Sequence, residues 1–158
     1  MGINYPKRYE TFKFFKTLKK IMSSILSKKF KRVLITGGSG FIGSNLLQRL
    51  FNEKGLHIFN LDKLSYSSDK QFGNLLKNNE TKYKFLKVDL NNQQNTRDAL
   101  EVSKPDLIIN LAAESHVDRS IDNPKLFLES NTLGTFNLLE ASRKYWNSLK
   151  LDKKDLFK

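Results

Sequence analysis

The chain has no cysteine in its 158 residues, which excludes a disulfide framework, a thiolate metal site and a cysteine nucleophile. No metal centre is expected. The same absence fits a reducing compartment, and the cytoplasm is the expected location. Nor is there a run of about 18 or more apolar residues, so no membrane-spanning helix is expected. Acidic residues are scarce, 16 against 28 Lys and Arg, for a net charge of +12. That imbalance is local. Residues 1–32 hold ten bases against the single acid Glu10, while the remainder holds eighteen against fifteen. The whole-chain charge therefore says little about the body of the protein. No internal repeat or low-complexity linker breaks the chain, and its length suits one domain with a real core.

Residues 1–31 read as a basic extension. Tyr5, Tyr9, Phe12, Phe15, Leu18, Met22 and Ile25 recur every three or four residues, with Lys13, Lys16, Lys19 and Lys20 around them. That is the pattern of an amphipathic helix. A helix on an anionic membrane surface, a nucleic-acid contact, an organelle-targeting segment and a tail docked on its own domain all fit it. Neither membrane nor nucleic-acid contact is expected to be specific. Lysines interrupt every apolar run, which weighs against a secretory signal. Met22 leaves open a later translation start.

From Arg32 the pattern alternates between short apolar runs and helix-like segments. Strands are expected at 33–36, 56–62, 83–90 and 106–113. Helices are expected at Phe41–Phe51, with Ile42, Leu46, Leu47 and Leu50 facing inward, at 93–104 before Pro105, and from Pro124 to Trp146. A short helix is expected around Phe72–Lys77. Such alternation argues an α/β fold, a partial Rossmann-type doubly wound parallel sheet with strand order 3-2-1-4. Residues 32–158 would be the N-terminal portion of that domain. The first and fourth strands would be neighbours, and ligands bind such sheets where the strand order reverses.

The stretch "TGGSGFIGS" falls at that point. Gly37 suits a tight turn, Gly40 leaves room for a pyrophosphate, and Gly43 lets the helix pack closely on the sheet. Helix N–H groups and the positive dipole end then face the anion. Asp62 ends the next strand, placed to accept hydrogen bonds from ribose hydroxyls. An acid there repels a 2′-phosphate and favours NAD over NADP, although Lys63 could soften the preference. Asp89 ends the third strand, where it could take an adenine amino group or cap a loop.

The runs "LITGGSGFIGSNLL", "NLDKLSYSS", "KVDL" and "LAAESHVDRSIDNPKLFLESNTLGTFNLLEASRKYW" closely resemble the dTDP-glucose 4,6-dehydratases, within the extended short-chain dehydrogenase/reductase group. The resemblance runs from about Lys31 to the last residue, and the extension has no counterpart in it. The glycine turn is shared with sugar-nucleotide epimerases, whereas "AAESHVDRSI" is far more specific. The resemblance implies NAD as cofactor and a dTDP-glucose substrate. It implies that Phe41 and Ile42 line the pyrophosphate turn, and that Asp62, Lys63, Leu64 and Ser65 surround the adenosine ribose. Asp89 and Leu90 would hold the adenine. Leu111, Ala112, Ala113, Glu114 and Ser115 would run along the nicotinamide side, and Ser130 also matches a cofactor position. Ser115 and His116 would meet substrate. Ser39 stands where the family usually has alanine, and Ser65 where it usually has threonine. His116 also fits a structural loop histidine, and Glu114 and Asp118 fit a solvated cluster with Arg119. Asn131 and Thr135 read as helix-face polar residues, and Phe127, Phe136, Tyr145 and Trp146 as core or interface.

The family reaction oxidises C4 of the hexose by hydride transfer to NAD, eliminates water across C5 and C6, and returns the hydride to C6. Its proton steps use a tyrosine with a lysine four residues on, and an Asp–Glu pair. In relatives these follow the fourth strand as Tyr-x-x-x-Lys and Thr-Asp-Glu. Neither motif follows the fourth strand here; Tyr9 and Lys13 have the first spacing but precede the fold. No catalytic residue is therefore assigned. The chain reads as the N-terminal part of such an enzyme, inactive until a C-terminal part completes it. Another nucleotide-sugar epimerase or dehydratase and a non-catalytic NAD-binding module are the alternatives. A homodimer through helix 124–146 and an exposed, aggregation-prone fourth-strand edge are further expectations.

Overall fold

The computed structural model describes residues 29–64 and 81–158. The amphipathic extension, Ser65 and the short helix expected at Phe72–Lys77 lie outside the described residues. Strands β1 (Arg32–Thr36), β2 (His57–Asp62), β3 (Tyr83–Lys87) and β4 (Leu107–Asn110) form one parallel sheet in the order β3-β2-β1-β4. This is the order the alternation implied. Leu34 of β1 stands opposite Phe59 of β2 and Ile108 of β4.

The two faces of β1 explain the doubly wound form. Val33 and Ile35 point to one side and pack with Leu47 and Leu50 of α1 (Phe41–Phe51). Leu34 points to the other, toward Leu100 of α2 (Gln93–Ser103) and Leu138 and Ala141 of α5 (Gly134–Ser148). Val33, Leu34 and Ile35 are all fully buried. An apolar run covered on both faces cannot alternate in polarity, which is why it reads as continuous. Phe30 is also buried in the α1-side core. The packed body thus begins ahead of Arg32.

Several boundaries differ from the sequence expectation. The third strand ends at Lys87 rather than 90, and the fourth spans only Leu107–Asn110. In both, the apolar run continues into a loop that lines the site. α2 stops at Ser103 because Lys104 takes a left-handed conformation (φ 43°), one residue before Pro105. Ile42 is 67% exposed, so it does not face inward as its periodicity suggested. It sits in the first turn of α1, beyond the sheet edge that Leu47 and Leu50 cover.

The long C-terminal helix runs unbroken from Pro124 to Ser148, as expected, but it is not uniform. Short helices α3 (Val117–Asp122) and α4 (Pro124–Phe127) lead into a π-helical stretch over Leu128–Leu133, then α5 and a last turn α6 (Leu151–Lys154). Beyond α6, the Lys158 N–H donates to the Asp106 carbonyl (3.1 Å), and the Ile108 N–H donates to the Lys158 carbonyl (2.8 Å). This alternating pattern is that of a parallel ladder. Lys158 therefore sits on the outer edge of β4, at the position of a fifth strand.

Candidate functional site

The C-terminal ends of β1, β2, β3 and β4 open onto a cleft. Gly37, Gly40, Leu61, Asp62, Lys63, Val88, Asp89, Leu90, Leu111, Ala112, Ala113, Glu114 and Ser130 line it. Leu61 and Val88 had no signal of their own in the sequence; each directly precedes one of the lining acids, Asp62 and Asp89. Phe41 and Ile42 lie beside the cleft in the first turn of α1, exposed. Leu64 follows at its edge with φ 58°. Ser115 and His116 are exposed past the end of the lining.

The glycine turn is shaped by contact with backbone. Gly37 has φ +67°, and a Cβ there would lie 2.6 Å from the Ala112 nitrogen, so only glycine lets the turn after β1 pass this close to the loop after β4. A Cβ on Gly43 would lie 2.6 Å from the Gly38 Cα, which is why α1 can seat on the turn. Gly40 differs. A Cβ there would meet only the Gly37 carbonyl oxygen, at an ordinary 3.4 Å. Nothing among the described residues demands a bare backbone at Gly40; the space beside it is open to the cleft. No side chain caps α1 and its first turn holds no acid, so its N-terminal N–H groups can serve an anion.

Asp62 is buried and held from two sides. The Ser39 N–H donates to its Oδ2 (2.9 Å) and the Leu64 N–H to its Oδ1 (2.8 Å). Each oxygen keeps a free lone pair, the acceptor arrangement that a vicinal diol requires. Beneath, Asn60 Nδ2 donates to the Ser39 hydroxyl (3.3 Å) and to the Tyr83 hydroxyl (3.0 Å). The serine that replaces the usual alanine thus gains a buried partner. Asp89 takes the Asn91 N–H on Oδ1 (2.9 Å) while lining the cleft, so it combines the loop role and the lining position.

The opposite wall hangs on the C-terminal helix. Asn131, within the π-helical stretch, grips the backbone of Glu114 with both ends of its amide. The Glu114 N–H donates to Asn131 Oδ1 (2.8 Å), and Asn131 Nδ2 donates to the Glu114 carbonyl (2.9 Å). The wide turn also brings Ser130 to the cleft; π-bulges commonly mark functional sites. Asn137, buried one stretch further on, donates to the Leu90 carbonyl (2.9 Å) and so ties the third-strand loop to α5. Sequence reading missed both clamps, since an asparagine at a helical position carries no sign of its partner. The charge cluster expected around Glu114 is also different. Glu114 is buried and pairs with Lys63 at 2.9 Å. Thr36, at the end of β1, donates to Asn110 Oδ1 and accepts from the Leu111 and Ala112 N–H groups (3.2 and 3.3 Å).

Tyr83 and Lys87 share the four-residue spacing of a tyrosine–lysine pair, as do Tyr66 and Lys70, which lie outside the described residues. The former pair is not a base. Tyr83 lies buried on a strand with its hydroxyl engaged by Asn60, and burial pushes its phenol above the usual value. A phenolate base requires the opposite shift. Among the described residues no group of three or more His, Asp or Glu could hold a metal ion, and no helix is long and apolar enough to cross a membrane.

The GDP-mannose 4,6 dehydratase family model matches residues 34–155. The chain belongs to this family. Among curated relatives, it is 42% identical over 127 residues to the dTDP-glucose 4,6-dehydratase of Escherichia coli, covering 80% of this chain and 35% of that protein. It is 44% identical over 131 residues to a probable dTDP-glucose 4,6-dehydratase of Sinorhizobium fredii, covering 80% and 36%. The chain thus spans little more than a third of the relatives it matches. Among solved structures, a double mutant of DesIV, a dTDP-glucose 4,6-dehydratase from Streptomyces venezuelae with NAD and DAU bound, superposes with a TM-score of 0.64 at 31% identity. That match covers 72% of this chain and 36% of DesIV. The UDP-glucose 4-epimerase of Thermus thermophilus in complex with NAD gives 0.63 at 36% identity, covering 72% and 34%.

Proposed function

We propose that this chain binds NAD and is the cofactor-binding portion of a dTDP-glucose 4,6-dehydratase. Asp62 carries the reading. A buried carboxylate, oriented by two backbone N–H groups and facing open space beside Gly40, fits a ribose diol whose diphosphate rests on the start of α1. Asp89 and Leu90 would flank the adenine. The backbone from Leu111 to Ser115 would flank the nicotinamide, and Ser115 and His116 would reach the hexose. NAD, when bound, supplies a hydride acceptor for C4 of the sugar. This chain's part is to bind and orient it: Thr36 and Asn131 fix the loop that would lie along it.

No Thr-Asp-Glu and no Tyr-x-x-x-Lys follows β4 in this sequence, so conversion of dTDP-glucose to the 4-keto-6-deoxy sugar would need those groups from a further polypeptide segment. Alone, the chain would bind cofactor without turnover. A homodimer through residues 124–146 is supported by exposed Leu128, Leu133, Phe136 and Leu139 along that stretch. A cytoplasmic location fits the absence of cysteine. The epimerase alternative draws on the NAD complex of the Thermus enzyme, and "AAESHVDRSI" weighs against it. Co-expression with a dehydratase C-terminal segment, followed by a 4-keto-sugar assay on dTDP- and UDP-glucose, tests the reading. Keto product from dTDP-glucose alone is expected; none from either would refute the dehydratase assignment.

A further inference from the structure

Lys63 and Glu114 come from opposite walls of the cleft. Lys63 directly follows Asp62 at the end of β2, Glu114 lies in the loop after β4, and β1 stands between those strands. Their side chains nevertheless meet at 2.9 Å, with the Lys63 side chain 28% exposed and that of Glu114 only 7%. Exposed ion pairs between long side chains stabilise little, because both partners must be ordered. Here one partner is ordered already. The peptide of Glu114 is locked on both sides by Asn131, and its carboxylate is buried, where losing the cation would leave a charge uncompensated. The lysine is therefore held by a fixed anchor.

That matters for the position beside it. Asp62 presents its carboxylate to the ribose site and repels a 2′-phosphate. Lys63 is the adjacent cation, and a free ammonium there would attract the same phosphate and offset the repulsion. We infer that Glu114 is a specificity-determining residue: by holding the Lys63 ammonium across the cleft, it withholds that charge from the ribose 2′ position. Discrimination against a 2′-phosphorylated dinucleotide then has two parts. Asp62 repels the phosphate, and Glu114 keeps the compensating charge away. Glu114 acts through Lys63, so it is a positioning residue. This rests on the NAD-binding reading and extends it to cofactor choice.

Titration of the full-length chain with NAD and with NADP, by calorimetry at one ionic strength, tests it. Wild type is expected to prefer NAD. Glu114→Gln is expected to raise the NADP-to-NAD affinity ratio on the order of tenfold, the scale of one charge-assisted contact. Adding Lys63→Met should cancel that gain, and Glu114→Asp, which keeps the charge, should hold the ratio near wild type. Loosening of the loop alone would weaken both cofactors together and leave the ratio unchanged. An unchanged ratio in Glu114→Gln, or a gain that survives Lys63→Met, overturns the inference. Should Glu114→Gln fail to fold, Lys63→Met alone decides: the ratio is expected to stay at its wild-type value, and a severalfold fall would mean that Lys63 already serves the phosphate. A folded wild type that binds neither dinucleotide would instead refute the underlying NAD reading.

Discussion

The two walls of the cleft are built differently. On the β2 side the chain supplies its own closure: Asp62 is pinned by two backbone donors, Asn60 bridges Ser39 and Tyr83, and β2 is paired along both edges. On the β4 side, Leu107, Ile108 and Ile109 are only half-buried, although "LIIN" is as apolar as the "VLIT" of β1. Strand composition does not separate them; coverage does. β1 lies between two strands and two helical layers, whereas β4 has one full neighbour and Lys158 on its other edge. Among the described residues, the wall that would hold adenosine is thus braced by strands on both sides. The wall that would hold the nicotinamide is a platform fixed mainly from one helix.

The largest way to break the comparison is at the hinge both walls share. Gly43→Val would drive a side chain into the backbone of Gly37 and Gly38, which cannot yield. A loss of about 4 kcal/mol or more, or failure to fold, is expected in a thermal melt. Next, Leu34 and Ile108 lie side by side on the same face of the sheet and contact the same core. Leu34→Ala should cost about 3 kcal/mol and Ile108→Ala less than about half of that, because Leu34 is fully buried and Ile108 only half-buried. Equal costs in urea unfolding would erase the distinction drawn between the walls.

Smaller effects separate the walls further. Asn131→Ala removes the grip on Glu114 and should cost about 2 kcal/mol. It should also speed amide exchange over residues 111–116 while leaving the Asp62 turn protected. The smallest effect is on the β2 side and concerns pH. Burial raises the Tyr83 phenol above its ordinary value of 10.0. Its contribution to stability is therefore full below pH 10 and is lost as the pH rises from there through the folded-state value. Tyr83→Phe should flatten that alkaline decline, after an initial loss from the one Asn60 N–H that gives up its tyrosine partner while the other keeps Ser39.

Much of this was legible in the sequence, for reasons that also mark where legibility stopped. Strand order and the glycine turn follow from local rules: a buried parallel strand, a helix close behind it, and an acid at the end of the next strand. Ile42 misled because helical periodicity records the face of a helix but not where the sheet beneath it ends. The helix expected from Pro124 to Trp146 hides a π-helical stretch whose sequence, Leu128 to Leu133, has no composition that distinguishes it. Asn131, Asn137 and the Lys63–Glu114 pair join residues 17 to 51 positions apart. Such contacts depend on how loops meet above the sheet, and no periodicity encodes that.

The most direct measurement is a calorimetric titration of NAD into the full-length chain beside its Gly40→Val variant. Among the described residues a Cβ at Gly40 meets only an ordinary contact, and its φ of −78° is open to any residue, so the variant is expected to fold. Saturable one-to-one binding to wild type, abolished by Gly40→Val, is the predicted result. A folded wild type that takes up no NAD, or a variant that binds as well as wild type, would contradict the account.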